Sequence, residues 1–192
     1  EGVNIKELLI DDANFILQKA DLIFLNKKSN DKFAIKKIKV KNSNIFLKND
    51  KNNETIAIIN IPSGLLLYDD LKKLNLLSLK GEIFKIPFTL NFDKIFDTSK
   101  RKTVNIQAKK LKLNILNKSV KKLDNQINGQ NIVSVLNSKV STKYNINKNL
   151  LTFEFDKSTM KNSNIYYKGK ISSDPFDLKL NMNLDKYDLT KL

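Results

Sequence analysis

The sequence contains no cysteine, no histidine and no tryptophan, and only one arginine, Arg101. The first two absences remove disulfides, thiolate metal sites, thiol nucleophiles and the imidazole on which most general-base, triad and zinc chemistry depends. Carboxylates, lysine, tyrosine and serine are what remains for catalysis. Scarce arginine counts against a dedicated reader of phosphates and bases, because the planar guanidinium fork grips both in two places at once. No run approaches the roughly 20 apolar residues of a membrane-spanning helix. Glycine (5) and proline (3) are sparse enough that their recurrence in a pattern carries information.

Lysine, asparagine and isoleucine fill the space these absences leave. Lys+Arg of 35 against Asp+Glu of 20 gives a net charge of +15, which points toward nucleic acid, an anionic membrane surface or another polyanion. Lys, Asn and Ile together are also the residue bias of an AT-rich genome, and we read the charge as mainly compositional. With 192 residues and 41% hydrophobic content the chain can build a substantial core.

Apolar residues recur with period two, the signature of strands with one wet face. Phe176, Leu178, Leu180, Met182 and Leu184 alternate with Asp177, Lys179, Asn181 and Asn183. Phe88, Leu90 and Phe92 do the same. Both stripes belong to a repeated pattern, Gly-x-Ile-x-x-x-Pro-Phe-x-Leu, beginning at Gly81 and again at Gly169. The pattern predicts a strand that starts at glycine and jogs at Pro87 or Pro175, each proline marking a bulge, an edge or a strand start. Lys41–Phe46 recurs as Lys161–Tyr166. These repeats predict a single β-rich domain over 1–192 with repeat units at approximately 33–100 and 132–190.

Other strands follow from the same period. Val140–Ile146 should face Leu151–Phe155 across a turn at Asn147–Asn149. Val104–Ala108 and Leu111–Ile115 have opposite parity, which predicts a bulge at Lys109–Lys110. Strand is expected at Ile35–Val40 and Ile45–Leu47, and the apolar run Thr55–Ile61 predicts a more buried strand. Pro62–Gly64 reads as a turn, Leu65–Leu79 as strand or short helix, and Val3–Leu25 as a strand pair around Asp11–Asn14. Lys48–Glu54 and Asn117–Asn131 read as loops.

No constellation of acid, base and nucleophile emerges. Asp11–Asp12 and Asp69–Asp70 are adjacent, so on a strand their side chains would point to opposite faces, and both pairs read as turn residues. Gly81 and Gly169 do not precede helices as phosphate-cradling loops do. The Lys36–Lys37, Lys72–Lys73, Lys109–Lys110 and Lys121–Lys122 pairs read as solvated edges that resist aggregation. Tyr144, Tyr166, Tyr167 and Tyr187 are too scattered for a base-stacking platform. No catalytic, cofactor or metal residue is assigned. One-sided strands do require a cover for their apolar face: either a second layer, giving a sandwich or closed core, or a sheet curled around a ligand.

In the segments Ile38–Leu47, Leu76–Phe92, Ala108–Leu116, Ile132–Tyr144 and Tyr167–Leu189 the order of features resembles the AsmA-like family of bacterial envelope proteins, relatives of the TamB and YhdP bridge-like lipid transporters. That resemblance implies an all-β fold with few or short helices, an extended, curved antiparallel sheet forming a taco-like hydrophobic groove. It also implies a non-enzymatic role in phospholipid transport or outer-membrane assembly, in the periplasm, with an inner-membrane anchor preceding this segment. Phospholipid or another acyl lipid and bacterial membranes would be the partners, with no specific nucleic acid. Phe88, Leu90, Phe92, Phe176, Leu178, Leu180, Met182 and Leu184 are the expected lipid-lining residues. The alternative is a basic β-sandwich for adhesion or polyanion binding.

Overall fold

The structure, a computed structural model, describes residues 6–18, 21, 37–96, 100–122, 125–161 and 163–185. The expectations that rest on Val3, residues 22–25, Ile35, Lys36, Asn162, Tyr187 and Leu189 lie outside them. The protein is all-β: fourteen strands are described, and a 3-10 turn at Lys109–Leu111 is the longest described helical piece. The chain forms two compact units, Glu1–Ile95 and Phe96–Leu192.

In the first unit, β3 (Lys37–Lys48), β4 (Thr55–Asp69), β5 (Leu74–Ile83) and β6 (Ile86–Ile95) form an antiparallel meander. The strands β1 (Leu8–Asp11) and β2 (Asn14–Leu17) do not pair with each other. Both run parallel to β3, as one strand interrupted at Asp12, whose φ is 54°. The hydroxyl of Ser43 closes the interruption: it accepts from the Ala13 amide at 3.1 Å and donates to the Lys41 carbonyl at 2.6 Å. Beside it Asn42 has φ 45°, and the parity of β3 changes there, so Val40 and Ile45 face the same way. Pro62 lies opposite that irregularity, where a missing N–H costs no ladder bond, and β4 continues through Pro62–Gly64 without turning. The turn comes instead after Asp69, whose carboxylate accepts from the amides of Leu71 and Lys72, each at 3.0 Å. Thr55–Ile61 is one-sided and not buried throughout: Ala57 and Ile61 are buried, while Ile56 and Ile58 are exposed.

The second unit is an antiparallel meander of β7 (Arg101–Ala108), β8 (Leu113–Lys121), β9 (Ile127–Val135), β10 (Ser138–Asn147), β11 (Leu150–Phe155) with β12 (Ser158–Met160), β13 (Ser163–Ser173) and β14 (Phe176–Leu184). β11 and β12 both lie between β10 and β13, a single strand interrupted at Asp156–Lys157. Serine again closes the gap, Ser158 Oγ accepting from the Ser141 amide and donating to the Ser141 carbonyl, both at 2.9 Å. Lys109–Lys110 is a tight turn between β7 and β8, and not a bulge, so the parity change is a reversal of the chain. The expected loop Asn117–Asn131 is largely a strand pair in which Asn117 lies opposite Asn131. Polar residues on both faces erased the alternation that would have announced it.

The two Gly-x-Ile-x-x-x-Pro-Phe-x-Leu copies are hairpins, not single jogged strands. The first turns at Phe84–Lys85, both with positive φ as a two-residue hairpin of type I′ requires, so Ile83 pairs with Ile86. The second turns at Asp174–Pro175, and Ser173 pairs with Phe176. Pro87 therefore sits at the start of β6 and Pro175 just ahead of β14.

Candidate functional site

Directly opposed residues in a ladder share a face, and in the second unit the registers sort the side chains into two unlike surfaces. One carries the β14 stripe, then Ile165, Tyr167 and Ile171, then Leu151 and Phe153, then Val140, Tyr144 and Ile146, then Ile127 and Val133, then Ile115, and finally Val104 and Ile106. The reverse surface carries Asp177, Lys179, Lys170, Lys168, Glu154, Lys143, Gln130 and Lys118. All the described strands of this unit belong to one sheet, so no second layer from within it covers the apolar surface. Among the described residues of this unit, the buried apolar side chains are Ala108 and Ile165. Along β14 exposure is high, from 76% at Phe176 to 39% at Leu184, and its apolar stripe is the most open part of the surface.

The surface is built around glycine. Among the described residues every glycine lies inside a strand and none has positive φ, whereas thirteen non-glycine residues do, seven of them lysines. Three of the four, Gly81, Gly129 and Gly169, admit aromatic rings instead. A Cβ on Gly129 would strike the Tyr144 ring directly opposite it, and one on Gly169 would strike the Phe153 ring and the Lys179 carbonyl oxygen. Gly81 stands in the same relation to Phe88 in the first unit, with an ideal Cβ 2.5 Å from Cζ. Rings laid across the neighbouring strand keep the surface low and continuous, with aromatic edges where a side chain would otherwise stand.

A polar band crosses this surface. The Tyr144 hydroxyl and the Asn117 amide are 3.0 Å apart, and the Thr142 and Tyr167 hydroxyls are 2.5 Å apart. Tyr167 also donates to the Ser141 carbonyl at 3.1 Å. Asn117, Asn131, Thr142 and Tyr144, with Ile146, Leu151 and Phe153, line an open depression of about 460 Å³. Such a mixture, apolar walls with a few convergent polar groups, suits an amphiphile better than a purely hydrocarbon ligand. In the sequence Asn117 and Asn131 bound a polar stretch that reads as loop, and Tyr144 and Tyr167 lie far apart. The cross-strand register is the signal that collects them.

Of the expected lining residues, Phe88, Leu90 and Phe92 lie on β6 in the first unit, on the face it shares with Leu77 and Leu79 of β5. Phe88 and Leu90 are half-buried and Phe92 is buried. Phe176, Leu178, Leu180, Met182 and Leu184 all lie on β14 in the second unit and are exposed. The first unit also holds buried polar groups on its apolar face, Asn75 opposite Lys94 and Tyr68 opposite Asn75. It also exposes apolar side chains on the reverse face, including Leu9, Ile16, Ile56 and Ile58, as the second unit does at Val120 and Leu150.

Charged groups pair locally. Glu7 contacts Lys39 at 2.5 Å and Lys37 at 2.9 Å. Lys39 first, and then Lys37, hold the Glu7 carboxyl below the usual carboxylate range, while Glu7 raises the Lys39 ammonium above its ordinary value. Among the described residues no three acidic side chains gather closely enough to hold a metal ion. No protein-family model, curated protein or solved structure matches the chain.

Proposed function

We propose that the chain is a lipid-binding or lipid-conducting β-sheet of the bacterial envelope, of AsmA-like type, acting without catalysis in phospholipid transport or outer-membrane assembly. On this reading it works in the periplasm, held to the inner membrane by a preceding anchor. The observation that carries the proposal is the apolar surface of the second unit, spread over consecutive strands, left half-exposed and not covered by any described strand of that unit. Burying each large apolar side chain is worth roughly 1.5–3 kcal/mol. A stripe such as Phe176–Leu184 therefore gains most from a cover, and acyl chains match its chemistry. The polar band through Asn117, Thr142 and Tyr167 supplies partners for the ester or hydroxyl groups of such a ligand.

Photo-crosslinking with a diazirine-bearing phospholipid tests the reading. Labelled positions should fall on the apolar surface, at Phe153, Leu178, Leu180 and Met182, and spare Lys170 and Lys179 on the reverse surface. Equal labelling of both surfaces, or none, would contradict it.

A further inference from the structure

The reverse surface of the second unit holds a depression of about 630 Å³ whose floor is backbone at Tyr144, Phe153 and Gly169. Two rows of side chains wall it, both crossing β10, β11, β13 and β14. One row contains Lys143, Glu154 and Lys168, and the other contains Thr152, Lys170 and Lys179. Four lysines thus face one glutamate. Lys170 lies directly opposite Lys179, and like charges so placed destabilise a strand pair unless something neutralises them. Lys143 reaches Asp156 at 3.3 Å, and Lys179 is 4.0 Å from Asp177. Lys168 and Lys170 have no ion-pair partner among the described residues. Rows two residues apart along a strand stand roughly 6.5–7 Å from each other, a spacing that lets lysines on both walls reach one bound multi-anion.

We propose that this depression binds a ligand bearing two or more phosphate groups, lying across the strands with its charges between Lys168, Lys170 and Lys179. Lysine suits this role as a set of mobile point charges, without the bidentate selectivity of arginine. The site is on the opposite surface from the apolar one and does not depend on what covers that surface.

The test is calorimetric titration of the protein with inorganic tripolyphosphate at low ionic strength, and sedimentation with vesicles containing cardiolipin, whose headgroup carries two phosphates. Lys170→Gln combined with Lys179→Gln should weaken binding by roughly tenfold or more. Lys109→Gln combined with Lys110→Gln, on the β7–β8 turn, should leave it within about twofold. Because the Lys170–Lys179 repulsion is removed, the first variant should unfold at a temperature no lower than the parent. Tripolyphosphate should raise the parent's unfolding temperature more than the variant's. Tripolyphosphate binding that the first variant loses identifies a soluble phosphate ligand. Vesicle binding alone, lost in the same variant, identifies a headgroup. No binding to either, or equal loss in both variants, overturns the proposal in favour of diffuse attraction by the net charge; should the first variant fail to fold, Lys168→Gln alone replaces it under the same criteria.

Discussion

The β5–β6 hairpin and the β13–β14 hairpin share one sequence spacing and fold around turns set two residues apart. In the first, the turn falls at Phe84–Lys85 and brings Phe88 over Gly81 from within the motif. In the second, the turn falls at Asp174–Pro175, Gly169 pairs with Leu180, and the ring over Gly169 is Phe153 from the other neighbouring strand. A displacement of two residues leaves every side chain on its original face, because the strand period is two. The difference teaches that apolar spacing writes the face and turn residues write the pairing, and that the two can vary independently. It also leaves β14 with its stripe exposed, whereas the β6 stripe ends in buried Phe92.

The contrast is sharpest at the glycines. Gly169→Ala should destabilise the protein by about 2–3 kcal/mol in chemical denaturation, since its Cβ would meet the Lys179 backbone oxygen as well as a ring. Gly81→Ala should cost about 1 kcal/mol, because only the end of the Phe88 ring must swing aside. Equal losses would mean that the two glycines serve the same packing after all.

The interrupted strands offer a second comparison. Ser158→Ala removes a hydroxyl bonded to both backbone groups of buried Ser141, and about 2 kcal/mol should be lost. Ser43→Ala should cost about 1 kcal/mol and mainly release β2, seen as faster amide exchange at Phe15 and Leu17. Global destabilisation of equal size by both would remove the distinction between an edge and an interior interruption.

Smaller effects test the turns and the first-unit edge. Asp69→Ala, which frees the Leu71 and Lys72 amides, should cost about 0.5–1 kcal/mol, measured by thermal unfolding. At Glu7 the lowered carboxyl favours the paired state above the ordinary carboxylate range, and that support is lost as pH falls through the folded value. The raised Lys39 ammonium supports pairing below the unfolded lysine value, and this is lost as pH rises through the folded one. Amide exchange at Leu8 and Ile10, corrected for intrinsic rates, should therefore accelerate at both extremes. Glu7→Gln should flatten that profile, with little change in overall stability.

The sequence made the β10–β11 hairpin legible because Val140–Ile146 and Leu151–Phe155 alternate cleanly about Lys148–Asn149; Ile146 does pair with Leu151 and Tyr144 with Phe153. The Asp69 turn and the Lys48–Glu54 loop were legible from turn-forming residues. The hairpin at Phe84–Lys85 was not, because neither residue advertises positive φ. Lys112, Lys148 and Lys157 likewise occupy conformations where glycine or asparagine would be expected. The β8–β9 pair stayed hidden for a different reason: Asn117 and Asn131 interrupt the apolar face at the point where the candidate site acquires its polar band. The apolar stripe of β14 was readable residue by residue, but its openness follows from its place at the edge of the described strands, which alternation does not encode.

The central claim is that acyl chains cover the apolar surface of the second unit. Native mass spectrometry of the protein purified in a mild, non-lipid-stripping detergent, followed by organic extraction of the same sample, addresses it directly. The account predicts phospholipid-sized adducts that disappear when Leu178, Leu180 and Met182 are together replaced by lysine, and a lower unfolding temperature after delipidation. A bare protein whose stability is unchanged by extraction would contradict it.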